Sequence, residues 1–168
     1  MNINKVLESS GVSRFHAVPG LAPQTIAQHS WGVAMLCQHF NPECRKELVL
    51  AALTHDCTEL VTGDIPATAK WQSPELKVLL DKIESSTEQE WGIQFTLDDD
   101  EKRLLKLCDG LEGMNYCLER RRQGELEASV VFYRWAEFLL TKHSLNSTEN
   151  EFYLSLIKQM GDLTNGRK

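Results

Sequence analysis

A histidine and an aspartate stand side by side at His55 and Asp56, at the end of an apolar helical segment. An imidazole and a carboxylate are costly to bury at such a place unless they are paired or bind a metal. Glu59 follows four residues after His55 and three after Asp56. Residues at these separations share one face of a helix. The segment therefore predicts a patch suited to metal binding or acid–base chemistry.

Two further residues can join this patch from elsewhere in the chain. His29 lies one turn into the first long predicted helix, and Asp109 interrupts an apolar stripe between residues 104 and 111. With His55 and Asp56 they form a mixed nitrogen and oxygen set that suits a divalent transition metal such as Zn, Mn, Co, Ni or Fe. A site of this kind leaves positions open for water and substrate oxygens. Each residue alone is common in proteins that bind no metal, so the prediction depends on the whole set.

The elements that must position these side chains are helices. Apolar residues recur three and four positions apart, which predicts amphipathic helices. The patterns lie at residues 26–37, 48–55, 76–83, 104–118, 130–139 and 152–163. Because period-two alternation is nearly absent, we predict an all-α fold, a compact helical bundle. No repeat, low-complexity tract or linker divides the chain, so residues 1–168 are predicted to form a single domain.

Composition excludes several classes of function. A net charge of −6 argues against binding of nucleic-acid polymers through their backbone, and the basic run at residues 120–122 suits a helix C-terminus. The sequence shows neither a membrane-spanning stretch nor a signal peptide, so we expect no membrane association and a cytoplasmic location. Five cysteines, an odd number without a Cys-x-x-Cys pair, predict buried free thiols rather than disulfides or a zinc ribbon.

The order His29, then His55-Asp56, then Asp109 resembles the ligand set of the HD-domain metal-dependent phosphohydrolases. The resemblance is closer to the branch of bacterial 5′-deoxynucleotidases and phage dATP triphosphohydrolases, and is found at residues 14–19, 25–34 and 55–66. It extends from about residue 14 to residue 116 and is weak beyond. The combined motifs are specific to this branch, whereas the His-Asp pair by itself is not.

The resemblance implies an HD-domain fold and a role for each matching position. His29, His55, Asp56 and Asp109 would ligate one divalent metal, expected to be Zn, Co or Mn. Glu59 would orient or activate the attacking water, and Asp64 matches a position near the bound nucleotide.

Three further positions are implied to bind the substrate. Arg14 would reach the phosphate or the sugar, Lys70 would contact phosphate, and an aromatic ring at Phe15 could pack on the sugar or base. Two departures from the family pattern stand out. Phe15 replaces a frequent Trp, and Gln28 replaces a Glu that commonly precedes the first ligand histidine. The difference at Phe15 bears on selectivity for the base or the sugar. The difference at Gln28 bears on any contact through which that Glu would support the metal ligands.

The resemblance favours hydrolysis of dATP or other deoxynucleoside triphosphates, with dADP and dAMP as further substrates and a Mg ion held by the substrate phosphates. One alternative is a 5′-deoxynucleotidase acting on monophosphates, and another is a non-catalytic helical module with a structural metal. A cyclic-dinucleotide phosphodiesterase is disfavoured because His16, His39 and His143 form no pattern for a second metal. The resemblance also implies a homo-oligomer, a dimer or a hexamer. The base selectivity stays open.

Overall fold

The computed structural model describes residues 1–166 of the chain, and the all-α prediction is confirmed over this part. The long helices are α2 (Ile26–Phe40), α3 (Lys46–Thr54), α6 (Pro74–Trp91), α7 (Asp99–Arg122), α8 (Ala128–Lys142) and α9 (Ser147–Asn165). The periodic pattern did not predict α1 (Ile3–Ser9), α4 (Glu59–Thr62), α5 (Ala67–Gln72) or the two short strands β1 (Ser13–Arg14) and β2 (Gln24–Thr25). These elements are too short to show a full amphipathic period.

Three of the long helices begin at a capping box, in which the side chain before the helix and the third helical residue bond each other's backbone N–H groups. The pairs are Thr25 with Gln28, Asp98 with Glu101, and Asn146 with Glu149. Glycines with left-handed backbone follow two of the long helices, Gly92 after α6 and Gly124 after α7. The beginnings and ends of these helices thus follow from local chemistry.

Helix α7 lies between two apolar clusters and forms the centre of the fold. One side packs on α8 and α9 through Leu111 and Met114, which meet Phe132 and Met160. The other side packs on α2 and α3 through Leu104 and Cys108, which join Val33, Cys37, Leu48 and Ala52. All five cysteines are free thiols, and four of them are buried, as predicted.

Aromatic residues of α8 and α9 belong mainly to this core. Phe132 and Tyr153 are buried, Trp135, Phe138 and Phe152 pack against the first cluster, and Tyr133 is the exposed one of this group. Within the described residues, no helix has both the length and the apolar character needed to cross a membrane.

Two local features position the residues predicted to do chemistry. Antiparallel pairing of β1 with β2 sets Arg14 beside Gln24, immediately before α2. Helix α3 ends at Thr54, so His55 and Asp56 lie in a turn rather than within a helix. This turn contains successive tight hydrogen bonds, from Cys57 N–H to the carbonyl of Thr54 and from Glu59 N–H to the carbonyl of Asp56, both at 3.0 Å.

Candidate metal centre and active site

The side chains of His29, His55 and Asp109 converge from α2, from the turn after α3 and from α7. One potential ligand atom of each lies within 4.8 Å of the others. His29 Nε2 is 3.2 Å from Asp109 Oδ1, and the two imidazole rings are 5.1 Å apart between centroids. Three elements that are distant in sequence therefore meet at one point, as the ligand-set prediction requires.

Asp56 lies beside this group of three and approaches its two histidines. Its Oδ1 lies 3.3 Å from His55 Nε2, and its Oδ2 lies 3.6 Å from His29 Nε2. All four residues predicted as metal ligands are thus neighbours in the structure.

The histidine nitrogens show that this group suits a metal. Nδ1 of His55 donates to the carbonyl oxygen of Ala52 at 2.8 Å, and Nδ1 of His29 donates to Glu112. Nε2 of each ring is buried and has no hydrogen-bond partner. A nitrogen of this kind is costly to bury without a hydrogen-bond partner or a metal. In metal-ligating histidines, the other ring nitrogen usually donates a hydrogen bond to an oxygen, as Nδ1 does here. Two imidazoles with two carboxylates fit a divalent transition metal.

The charged side chains of this cluster shift one another's pKa values. Burial and the nearby Arg14 oppose a charge on His29, but Asp109, Glu112 and Asp56 outweigh them and raise the pKa of His29 to about 9. Burial by itself would raise the pKa of both aspartates. The cationic neighbours instead hold the pKa of Asp56 below its usual range, and Lys106 and His29 hold that of Asp109 well below it. The cluster therefore retains two carboxylates and attracts positive charge.

Glu59 lies next to this cluster but has a different environment. Its Oε2 is buried without a hydrogen-bond partner. Burial, together with the negative charges of Asp56 and Asp64, raises the pKa of Glu59 to about 9. A carboxyl group perturbed in this way, beside a candidate metal centre, is suited to accept or hold a proton during a reaction.

Arg14 lies behind the cluster and is almost fully buried. Its guanidinium is 3.8 Å from carboxylate oxygens of Asp56, Asp109 and Glu112, and Nη1 donates to Gln24 Oε1 at 3.2 Å. Burial disfavours its charge, but the three carboxylates and Asp64 outweigh burial and raise the pKa of Arg14. The cation therefore compensates the negative charge of the cluster.

Asp64 and Phe15 contact each other at the edge of the site. Phe15 has a left-handed backbone with φ of 61°, and its N–H donates to Asp64 Oδ2 at 3.2 Å. Left-handed backbone is uncommon for a bulky residue, so this hydrogen bond helps to hold the conformation. The Phe15 ring stacks on Tyr116 at 5.5 Å and lies beneath the Arg14 guanidinium.

A cavity of about 400 Å³ opens over the cluster. His55, Asp56, Glu59 and Asp109 line one part of it, and the lysines of the described wall are Lys70, Lys77, Lys102 and Lys106. Lys106 Nζ lies 2.8 Å from Asp109 Oδ2, and Lys77 Nζ lies 2.6 Å from Asp81 Oδ2. Among the described residues, those that line this cavity include Lys70 but not Arg14, Phe15 or Asp64. The cavity thus offers cationic groups next to the candidate metal centre.

Three residues close to the cluster were not predicted from the sequence, namely Glu112, Gln24 and Lys106. Glu112 contacts His29, Gln24 Nε2 donates to Glu112 Oε1 at 2.7 Å, and Lys106 pairs with Asp109. One signal was available for Glu112, because it follows Asp109 by three residues and interrupts the same apolar stripe. Nothing in the sequence around Gln24 distinguishes it from an ordinary loop residue.

Comparison with known proteins agrees with this fold. The structure is similar to that of the Cyanophage S-2L HD phosphohydrolase DatZ, bound to dA and one catalytic Zn²⁺ ion. Their TM-score is 0.67 and their identity 25%, over 96% of this chain and 98% of that one. The PH0347 protein from Pyrococcus horikoshii OT3 shares the fold, with a TM-score of 0.68 and 18% identity over 96% of this chain and 98% of that one. The helical fold and its His–Asp cluster define an HD-type phosphohydrolase.

Sequence relatives narrow this class further. The chain is 34% identical to the dATP triphosphohydrolase of Cyanophage S-2L over 115 residues, 64% of this chain and 65% of that enzyme. The match thus spans slightly less than two thirds of the phage enzyme. The chain is also 25% identical to a 5′-deoxynucleotidase of Vibrio cholerae, over 91% of this chain and 90% of that enzyme. The chain belongs to the 5′-deoxynucleotidase YfbR-like family, whose model matches residues 6–157. The prediction of an enzyme in this branch is confirmed.

Proposed function

We propose that the protein is a metal-dependent hydrolase of deoxynucleoside triphosphates, with dATP as the favoured substrate and dADP and dAMP as further ones. His29, His55, Asp56 and Asp109 would hold one divalent metal, and Zn is favoured because the similar phage structure contains Zn²⁺. The metal would lower the pKa of a bound water and polarise a phosphoryl oxygen. A Mg ion would accompany the phosphates of the substrate.

The chain's own residues supply the remaining chemistry. Glu59, through its unpartnered Oε2, would orient the attacking water, and it would accept the water's proton in the ionised form that the positive charge of a bound metal favours. Arg14 neutralises the ligand carboxylates from behind, so that an anionic substrate meets less repulsion. Asp64 would act through the loop that it holds at Phe15, where an aromatic ring could pack on the sugar or base.

The lysine-lined cavity is the observation on which the choice of a triphosphate rests. Lys70, Lys77, Lys102 and Lys106 lie on its wall, in a protein whose net charge is −6. Each ammonium group can attract a phosphate oxygen locally, although Lys77, Lys102 and Lys106 also pair with Asp81, Asp99 and Asp109. A triphosphate carries more negative charge than a monophosphate and extends farther from the scissile bond, so it can meet more of these lysines. Identity to the phage dATP triphosphohydrolase supports the same choice.

A second candidate is a 5′-deoxynucleotidase that acts on deoxynucleoside monophosphates. The matching family model and the nearly full-length similarity to the Vibrio cholerae enzyme favour it. Asp81 and Glu84 on the cavity wall favour it too, because they would repel a long phosphate chain.

Incubation of the Zn-loaded protein with dATP, dGTP, dAMP and dGMP, followed by chromatography, distinguishes the two candidates. We expect dATP to yield deoxyadenosine with a released phosphate chain, or to be shortened stepwise. Lys70→Ala should raise the KM for dATP more than that for dAMP, whereas Lys158→Ala, an exposed lysine on α9, should change neither. Turnover of monophosphates alone would establish the second candidate, and inertness toward all four nucleotides would refute both.

We also propose that the protein binds neither nucleic-acid polymers nor membranes, and that it acts in the cytoplasm, which would be the host's if the chain is phage-encoded. We further propose that it forms a homo-oligomer, a dimer or a hexamer. Trp31 and Met35 support self-association, because these large apolar side chains lie one turn apart on α2 and are 65% and 51% exposed. They border a groove of about 660 Å³ between α2 and α7. Light scattering at micromolar concentration tests the assembly, and a monomeric mass would contradict it.

A further inference from the structure

We propose that Glu112 is a positioning residue that orients His29 toward the metal, and that Gln24 in turn holds Glu112 in place. The inference rests on the metal ligation proposed above and extends it to two residues outside the ligand set. It concerns the side of His29 that faces away from Asp56 and Asp109.

The contacts form a chain of buried hydrogen bonds. The Nδ1 of His29 donates to Glu112 Oε2, and Gln24 Nε2 donates to Glu112 Oε1 at 2.7 Å. Gln24 Oε1 in turn accepts from Arg14 Nη1 at 3.2 Å. All four residues are buried, with Arg14 and Glu112 the most exposed at 7% each. Both oxygens of Glu112 therefore accept hydrogen bonds from buried side chains.

Helix α2 leaves room for this carboxylate. A Cβ atom at Gly32, one turn after His29, would lie 2.6 Å from Glu112 Cγ. A glycine at this position thus lets a side chain of α7 pass α2 and reach the ring of His29. Gln28, next to His29 in sequence, is not available for this contact, because its side chain bonds the N–H of Thr25 in the capping box.

The consequence for His29 follows from its two nitrogens. In the neutral form of the ring, which is the form that binds a metal, a hydrogen at Nδ1 leaves the lone pair on Nε2, and the carboxylate fixes the plane of the ring. Nε2 is the buried atom without a partner, 3.2 Å from Asp109 Oδ1. Glu112 therefore acts on the site through His29 and needs no contact with the substrate.

Glu112→Gln is the informative substitution because it retains the volume of the side chain. The amide has one acceptor oxygen for two donors, so one of the hydrogen bonds from His29 and Gln24 must be lost. The double variant Glu112→Gln with Gln24→Glu reverses the donor and the acceptor of the second bond and restores both. The new carboxylate at position 24 can still accept from Arg14. Glu119→Gln is the matched control, on the same helix but exposed and paired with Arg122.

Zn affinity is measured on the metal-free proteins by competition with a chromophoric chelator, with no nucleotide present. We expect Glu112→Gln to bind Zn about 10- to 100-fold more weakly than the wild type. The double variant should recover most of this loss, and Glu119→Gln should bind as the wild type does. Urea unfolding of each metal-free protein serves as a check on folding.

Wild-type affinity in Glu112→Gln, or a double variant as weak as the single one, would overturn the inference. A lower free energy of unfolding with unchanged Zn affinity would assign Glu112 a structural role only, and would overturn it too. A wild-type protein that takes up no Zn would refute the metal centre itself and with it the proposed function. If Glu112→Gln retains both normal nucleotide turnover and wild-type Zn affinity, the positioning role of Glu112 is refuted and the proposed function is not.

Discussion

Gly32 offers a stability test of the contact between α2 and α7. In a helix interior, replacement of glycine by alanine ordinarily stabilises a protein by about 1 kcal/mol. At Gly32 the new Cβ would lie 2.6 Å from Glu112 Cγ and 3.1 Å from its Oε1, so Glu112 must move. A hydrogen bond to a charged group contributes roughly 1.5–3 kcal/mol, and at least one of the bonds from His29 and Gln24 breaks. Gly32→Ala should therefore lower the free energy of unfolding by about 0.5–2 kcal/mol, the difference between these two effects.

Gly161→Ala is the matched control, because Gly161 lies within α9 and a Cβ there meets nothing within 4 Å. We expect this variant to be more stable than the wild type by about 1 kcal/mol. Urea unfolding of the metal-free proteins, followed by circular dichroism, measures both changes. The two variants should differ by roughly 1.5–3 kcal/mol, the contribution of the lost hydrogen bond. If Gly32→Ala stabilises the protein as much as Gly161→Ala, the account of how Glu112 is held is wrong.

Three further predictions concern the metal centre. Glu59→Gln should lower turnover about 10²–10⁴-fold while elemental analysis finds the metal content unchanged; full turnover would exclude Glu59 as the proton acceptor. Asp109→Asn should abolish tight Zn binding in the chelator assay, whereas Asp81→Asn, on the cavity wall but outside the ligand set, should retain it. In the metal-free protein the pKa of His29 is raised to about 9. Its charged ring therefore stabilises the folded state fully below pH ~6.5, the usual pKa of histidine. This contribution is lost as the pH rises through 9. The change is about 3 kcal/mol, and urea unfolding at several pH values measures it as the difference in pH dependence between the wild type and His29→Gln, because the raised pKa of Glu59 contributes to both.

The predicted ligand set required only local information about each residue. His55 and Asp56 are adjacent, and Asp109 is a carboxylate within an apolar stripe, so each stood out against its immediate neighbours. The structure brings these residues together with His29, although His55 and Asp56 lie in a turn rather than on a helix. The carbonyl of Ala52 accepts a hydrogen bond from His55 at 2.8 Å. The tight turn thus brings His55 and Asp56 to the site, whereas the sequence had predicted that a helix would do so.

Other parts of the site depend on packing between distant segments. Glu112 reaches His29 across 83 positions of sequence, and Gln24 reaches Glu112 across 88. The burial of Arg14, the raised pKa of Glu59 and the lysine wall of the cavity arise in the same way, from elements that meet after folding. None of these has a sequence pattern of its own.

The amino-acid sequence alone determined the helical class, the capped beginnings of α2, α7 and α9, and the identity of the groups able to ligate a metal. Periodicity, capping and residue chemistry are properties of neighbouring positions, which the chain displays before it folds. The tertiary structure alone decided which side chains surround His29, which of its nitrogens is left without a partner, and where positive charge faces the cavity. Those properties depend on distances through space and on exclusion of water, and both exist only once α7 has packed between its neighbours.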